Sequence, residues 1–286
     1  MNFRFNPIFK MLATAGLIGS LAACGGGGSS PSTVPISIKG VAATGLALAQ
    51  KPYSVQCALP VNSPAKTGTT GDDGSYSVTM ELGSAGPCIV TITDGDKQLQ
   101  SITPNTPSSG TTLVANVTPF SDLIVKALVS ASGVTNAAGL ITGATIPQNV
   151  TAVMATVVES IRTELVVQLQ ASGLTAAQAQ AIVNATLPVG SDLLADSTFK
   201  PAKTEGQADA SPLDKLLDVL AGKPADIKDA NGNSLVTTEV LATIKANPPV
   251  IEASVVTTAI KDVIKFSNEP GTPIVTTGAV GGGGAQ

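Results

Sequence analysis

The hydrophobic period changes once along this chain, at Thr118-Pro119, and that change constrains the fold more than any other feature. From Val34 to Val117 apolar residues alternate with polar ones, the period of strands half-buried on a sheet. Val34, Ile36 and Ile38 mark one strand. Tyr53, Val55, Cys57 and Leu59 mark the next, then Tyr76, Val78 and Met80, then Cys88, Val90 and Ile92. Leu99 with Ile102, and Leu113, Ala115 and Val117, follow. Asp72-Asp73-Gly74 and Asp94-Gly95-Asp96 are hairpin turn signals. Six or seven short strands over about 85 residues predict an antiparallel β-sandwich.

After Thr118 the pattern is helical. Thr118 is a cap with Pro119 at the first helical position, and Gly133 marks the end. Pro147 opens a longer helix whose stripe is Val150, Val153, Val157, Ile161, Leu165 and Leu169, ending near Gly173. Thr175-Ala176-Ala177-Gln178 is a capping box for a third helix. Ser211-Pro212 starts a fourth, running to Leu220; Asp229 to Asn233 is a turn, and Thr237 to Lys245 and Ser254 to Phe266 are two more helices. The expected class is therefore α+β, with a sandwich over 34–117 and a mostly α-helical region over 118–267. The Pro- and Gly-containing stretch 268–286 is expected to be a loose tail.

Ahead of the strands, Arg4 and Lys10 are the only charges before a short apolar run, Met11 to Leu21, which ends in small residues. That is the pattern of an export signal over 1–23, and the run is well short of the roughly 20 residues that span a bilayer. Leu21-Ala22-Ala23-Cys24 resembles the lipobox of bacterial lipoproteins. The resemblance implies a diacylglyceryl thioether on Cys24, cleavage before it and acylation, for example by palmitate, of the new amine. Two or more acyl chains hold a protein on a membrane stably. Gly25 and Gly26 follow, with no Asp beside the cysteine; by similarity to lipoprotein sorting this implies the outer membrane. The alternative is a soluble exported protein with a chance cysteine. Residues 24–33, the lipid-bearing cysteine and a Gly/Ser tether, have a root-mean-square reach of roughly 15–18 Å.

Composition removes several function classes. The chain has no histidine, which excludes Ser-His-Asp and Cys-His nucleophile activation, His-ligated zinc or haem, and the usual near-neutral general base. Removing Arg4 and Lys10 from the 16 basic residues leaves 14 against 20 acidic ones, a net charge of −6. With no basic cluster, nucleic acid is not an expected partner. After the signal only Tyr53, Tyr76, Phe120, Phe199 and Phe266 are aromatic, too few for a platform that stacks sugars or bases. No cofactor is expected.

With Cys24 lipidated, Cys57 and Cys88 remain, both on the apolar side of their strands. In an exported protein an even pair reads as a disulfide; the alternative is two buried thiols, since strand pairing is not given by sequence. Ile38-Lys39-Gly40, with Thr69-Thr70-Gly71-Asp72-Asp73-Gly74-Ser75-Tyr76-Ser77-Val78, resembles carboxypeptidase-regulatory-like, transthyretin-like sandwich modules. Asn116-Val117-Thr118-Pro119-Phe120-Ser121-Asp122-Leu123 and Leu213-Asp214-Lys215-Leu216-Leu217-Asp218 are similar to stretches of bacterial lipoproteins with this architecture. The resemblance implies a non-catalytic module for stability, display or contact, and carries over no active-site residues.

Other residues invite chemistry. Ser63-Pro64-Ala65-Lys66-Thr67-Gly68 holds both S-x-x-K and K-T-G, but the two share Lys66 between strands, where a serine-enzyme arrangement needs them far apart. Asp229, Asn231 and Asn233 suggest a calcium loop, yet Gly232 and Val240 miss the required glycine and glutamate positions. Asp94 and Asp96 read as a turn likewise. Lys39, Glu81 and Asn116 could mimic an isopeptide set, although alternation places all three opposite the apolar face. Asp214 and Asp218 share one helix face and are expected to be solvated, and Arg162 is expected in a surface ion pair with Glu159. The expected function is a lipid-anchored, non-enzymatic envelope module that binds or scaffolds a protein partner. The alternatives are an envelope enzyme using carboxylates on glycan or peptidoglycan, and a periplasmic carrier of an apolar ligand.

Overall fold

The computed structural model describes residues 34–103, 110–142 and 150–267. The export signal, Cys24, the tether and the tail lie outside the described residues. Seven strands come first: β1 (Ser37–Val41), β2 (Pro52–Leu59), β3 (Lys66–Thr69), β4 (Ser75–Thr79), β5 (Ala85–Asp94), β6 (Lys97–Ile102) and β7 (Thr112–Val114). They form two sheets, ordered β4-β1-β7 and β3-β2-β5-β6. Neighbours are antiparallel except β1 and β7, which run parallel with Ile38 opposite Leu113. Between the sheets lies a core of Ile36, Ile38, Val55, Cys57, Tyr76, Met80, Cys88, Val90, Ile92, Leu113, Ala115 and Val117, largely the residues that the alternation selects.

Asp94-Gly95-Asp96 makes the expected hairpin: Asp94 pairs with Lys97 and Gly95 takes φ 60°. Asp72-Asp73-Gly74 does not make one. It carries the chain from β3 in one sheet to β4 in the other, with Asp73 Oδ1 accepting from Ser75 N–H at 3.0 Å. Leu59, expected inward, is exposed, because the β2–β5 register shifts between Cys57 and Leu59. An irregularity of that kind turns the following side chain to the other face.

The helices are α1 (Pro119–Ser132), α2 (Ala137–Thr142), α3 (Val150–Ala171), α4 (Ala176–Thr186), α5 (Pro212–Leu220), α6 (Thr238–Ala246) and α7 (Ala253–Ser267). Thr118 and Ser121 cap α1 reciprocally, Thr175 and Gln178 do so for α4, and Gly133 closes α1 with φ 68°. The sequence pattern missed α2, a short helix between α1 and α3. The helical core includes Ile124, Leu128, Val157, Ile161, Leu165, Leu169 and Ile182, and it also takes in Ile89 of β5 and Ile102 of β6. The larger sheet is therefore a middle layer, with the small sheet on one face and helices on the other.

Cys57 and Cys88 face each other across β2 and β5 and are joined by a disulfide. The bridge closes residues 31 apart in sequence. In the chain-entropy account this contributes about 3.5 kcal/mol by restricting the unfolded chain. The Cys57→Ala/Cys88→Ala double variant should lose a few kcal/mol of stability in urea unfolding at neutral pH, and dithiothreitol should lower the wild-type midpoint while leaving that variant unchanged.

Candidate functional site

Residues 188–210, between α4 and α5, form neither helix nor strand, yet Leu193, Leu194, Phe199 and Ala202 are buried. This strap is tied to the sandwich by backbone partners. Asn116 N–H donates to Leu194 O at 2.6 Å and Asn116 Nδ2 to Asp196 O at 2.7 Å, while Asn116 Oδ1 accepts from Val41 N–H at 3.1 Å. Farther along, Ala47 N–H donates to Ala202 O at 2.9 Å, and Ala202 N–H donates to Asp214 Oδ2 at 2.8 Å.

That last bond leads to the most unusual chemistry in the described residues. Asp214 and Asp218, one turn apart on α5, are 0 % and 2 % exposed, where a solvated face was expected. Leu213, Leu216, Leu217, Val219 and Leu220 leave α5 no solvent face wide enough for two carboxyls. Oδ1 of each carboxyl is buried without a protein partner, as is Ser211 Oγ at the start of the same helix. Gly45, with φ 95°, lies against Asp218; a Cβ there would stand 2.5 Å from Asp218 Oδ1, so this loop approaches α5 only as glycine.

Burial pushes Asp214 up to about 7; the Ala202 N–H opposes the rise, Asp218 adds to it and Lys223 opposes it. Burial likewise pushes Asp218 up to about 6, with Lys223 opposing and Glu205 adding. Lys223 is itself shared with Glu205, at 3.4 Å. A buried pair of this kind favours holding protons over ionising. Neither carboxyl lines the open groove or the apolar cavity described next, and both are covered from solvent.

The larger cavity is an open groove of about 470 Å³ against β1 and β4, lined by Lys39, Tyr53, Ser77, Asn116, Ser197 and Phe199 among others. Tyr53 Oη donates to Ser77 O at 3.3 Å, and the Tyr53 and Tyr76 rings lie 5.3 Å apart. Tyr76 is buried, its hydroxyl donating to Ala115 O, and burial raises its pKa. The second cavity, about 310 Å³, is apolar and lined by Pro119, Phe120, Leu123, Leu217, Leu220 and Ile251.

Most of the remaining candidates are engaged in structural contacts. Lys66 pairs with Glu81 at 2.7 Å, and Ser63 lies in the loop before β3. Lys39 is exposed, while Asn116, although opposite the inter-sheet core, is buried by the strap. Asp229 accepts from Asn233 Nδ2 at 3.1 Å, from Asn233 N–H at 2.8 Å and from Asn231 N–H at 2.9 Å, bonds that hold its carboxyl below the usual range and consume it in the turn. Asp94 pairs with Lys51 at 2.8 Å. Arg162 is not on the surface. It is buried, with Nη1 donating to Leu187 O and Nη2 to Asn184 Oδ1 at 3.0 Å, so it caps the end of α4 as well as meeting Glu159 at 3.2 Å. No family model, curated protein or solved structure matches the chain.

Carboxyls whose folded pKa lies above the unfolded value stabilise the fold most below the unfolded pKa, and that contribution is lost as pH rises through the folded one. Stability should therefore fall between about pH 4 and pH 7. Asp214→Asn, which keeps the shape of the protonated group, should flatten that fall and unfold later than wild type at pH 8 in urea titrations. A wild-type stability that rises steadily over this range would refute the buried-acid account.

Proposed function

We propose that the chain is a lipid-anchored protein of the bacterial envelope, held at the outer membrane through Cys24 and acting as a non-enzymatic binding or scaffolding module for an envelope protein. The observation that carries this reading is how the three cysteines are used. Cys57 and Cys88 are joined in the sandwich, a bond suited to an oxidising compartment, which leaves Cys24 in Leu-Ala-Ala-Cys as the remaining thiol. A carboxypeptidase-regulatory-like sandwich displayed on a Gly/Ser tether fits the same role. The open groove beside Lys39, Tyr53 and Ser197 offers a polar contact surface.

A carboxylate enzyme is disfavoured by the burial of Asp214 and Asp218. The carrier reading has one observation in its favour, the apolar cavity between α1, α5 and Ile251. At about 310 Å³ it is at the small end for an organic ligand. A carrier should retain a lipid that native mass spectrometry detects, and Leu123→Trp should abolish the retention.

Protein purified from membranes should have a mass that starts at Cys24 with added acyl groups, and it should gain two hydrogens on reduction. Cys24→Ser should lack the acyl mass and leave the membrane fraction. A wild-type chain cut elsewhere and free of lipid would make this a soluble exported protein.

A further inference from the structure

Four of the seven exposed large apolar side chains among the described residues gather at one end of the sandwich: Val34, Leu59, Val61 and Leu82, from 47 % to 63 % exposed. The pairing registers put them together. Ser37 pairs with Thr79, and Met80 N–H donates to Ile36 O at 2.9 Å, so the chain entering β1 runs beside the turn that carries Leu82. That turn leads into Ala85, which pairs with Leu59, and Val61 follows in the next loop. The Cys57–Cys88 bridge lies immediately behind and holds the two loops at fixed separation.

Charge divides the same way. Residues 34–36, 59–66 and 80–86 carry only Lys66 and Glu81, and these two neutralise each other at 2.7 Å. The opposite end carries Lys51, Asp72, Asp73, Asp94, Asp96 and Lys97. An exposed apolar patch without net charge marks a surface that meets another apolar phase. What that phase is follows from where the chain enters. Val34 is ten residues after Cys24, a tether of roughly 15–18 Å, and the apolar end is the end at which that tether joins the sandwich.

We propose that this end lies on the bilayer, with Leu59, Val61, Leu82 and Val34 seated in the headgroup region and the acidic end directed away from it. The inference rests on the proposed lipid anchor. It assigns the tether a second role, in which a short leash and an apolar tip together fix orientation where a leash alone would leave the sandwich free to tumble. The tip then lies about 5–10 Å below the headgroup surface, the depth at which interfacial apolar side chains settle.

The chain has no tryptophan, so one introduced at a time reports only its own surroundings. The full lipidated chain, reconstituted on phosphatidylethanolamine–phosphatidylglycerol vesicles with brominated acyl chains, should float with them. On such vesicles Val61→Trp and Leu82→Trp should each shift to blue emission and be quenched by the bromines, as interfacial depth requires, whereas Asp96→Trp at the other end should do neither. Both tip positions are exposed, and either variant alone suffices if the other fails to fold. A chain that does not float overturns the anchor and the orientation together. A chain that floats, with both tip variants quenched no more than Asp96→Trp, overturns the orientation alone. Tip variants that are unquenched on vesicles but shielded in native envelope membranes would assign this end to a protein partner and also overturn it.

Discussion

Strand β5 is buried on both faces, and much of the molecule follows from that. Cys88, Val90 and Ile92 point into the inter-sheet core, while Ile89 points the other way into the helical one. A sheet covered on both sides must be apolar on both sides, so its middle strand reads as a nearly unbroken run, Cys88-Ile89-Val90-Thr91-Ile92. The disulfide is anchored in this strand, the helices need it as their floor, and β1, β4 and β7 need it as their ceiling. With few aromatic residues available, aliphatic burial at about 1.5–3 kcal/mol per side chain must carry most of the stabilisation.

Sheet and helices meet in a junction that closes the β6 edge. Gln100 of β6 has its N–H accepted by Asp122 Oδ1 at 3.1 Å and its carbonyl bonded by Ser121 Oγ at 2.8 Å. The first turn of α1 thus does for this edge what a further strand would do, and blocks its pairing with another chain. Thr118, Ser121 and Asp122 are all buried, so the same three polar residues start a helix and close a sheet. The strap performs the corresponding service on the other side. Asn116 links Val41 of β1 to the carbonyls at 194 and 196, and Asp214 links Ala202 to α5.

The change of period at Thr118 was enough to place six of the seven strands and most helices, because Thr118, Pro119, Gly133, Thr175 and Gln178 are local signals with local causes. What alternation could not resolve was any side chain whose environment is set by a distant partner. Leu59 lies on the apolar phase of β2, and only the register with β5 turns it outward. Lys66 to Thr69 show no alternation, so β3 is visible only as the partner of β2. Asp214 and Asp218 read as a solvated pair until α5 is seen enclosed; the clue in the sequence was five apolar residues among nine, spread around the helix. Arg162 sits between Ile161 and Leu165 of the buried stripe, and that placement, more than its spacing from Glu159, foretold its burial. Alternation puts Asn116 on the correct face, but the strap that covers that face has no period by which it could be found.

The two ends of the sandwich divide the work between them. Loop 42–48, which follows β1, receives the strap through Ala47 and packs Gly45 against Asp218, so the contacts to α5 gather at the end where β1 leaves the sheet. The end where β1 enters keeps the loops after β2 and β4, which have no net charge and are stapled from behind by Cys57–Cys88. On the proposed orientation, the sandwich is gripped by its own helices at one end and meets the bilayer at the other, so the two contacts use different loops. The contacts to α5 here use Gly45, the Ala47 N–H and the buried carboxyls, whereas the proposed bilayer contact uses exposed apolar side chains on a rigid base. Placing them at opposite ends of one strand lets each be satisfied without unpairing the other.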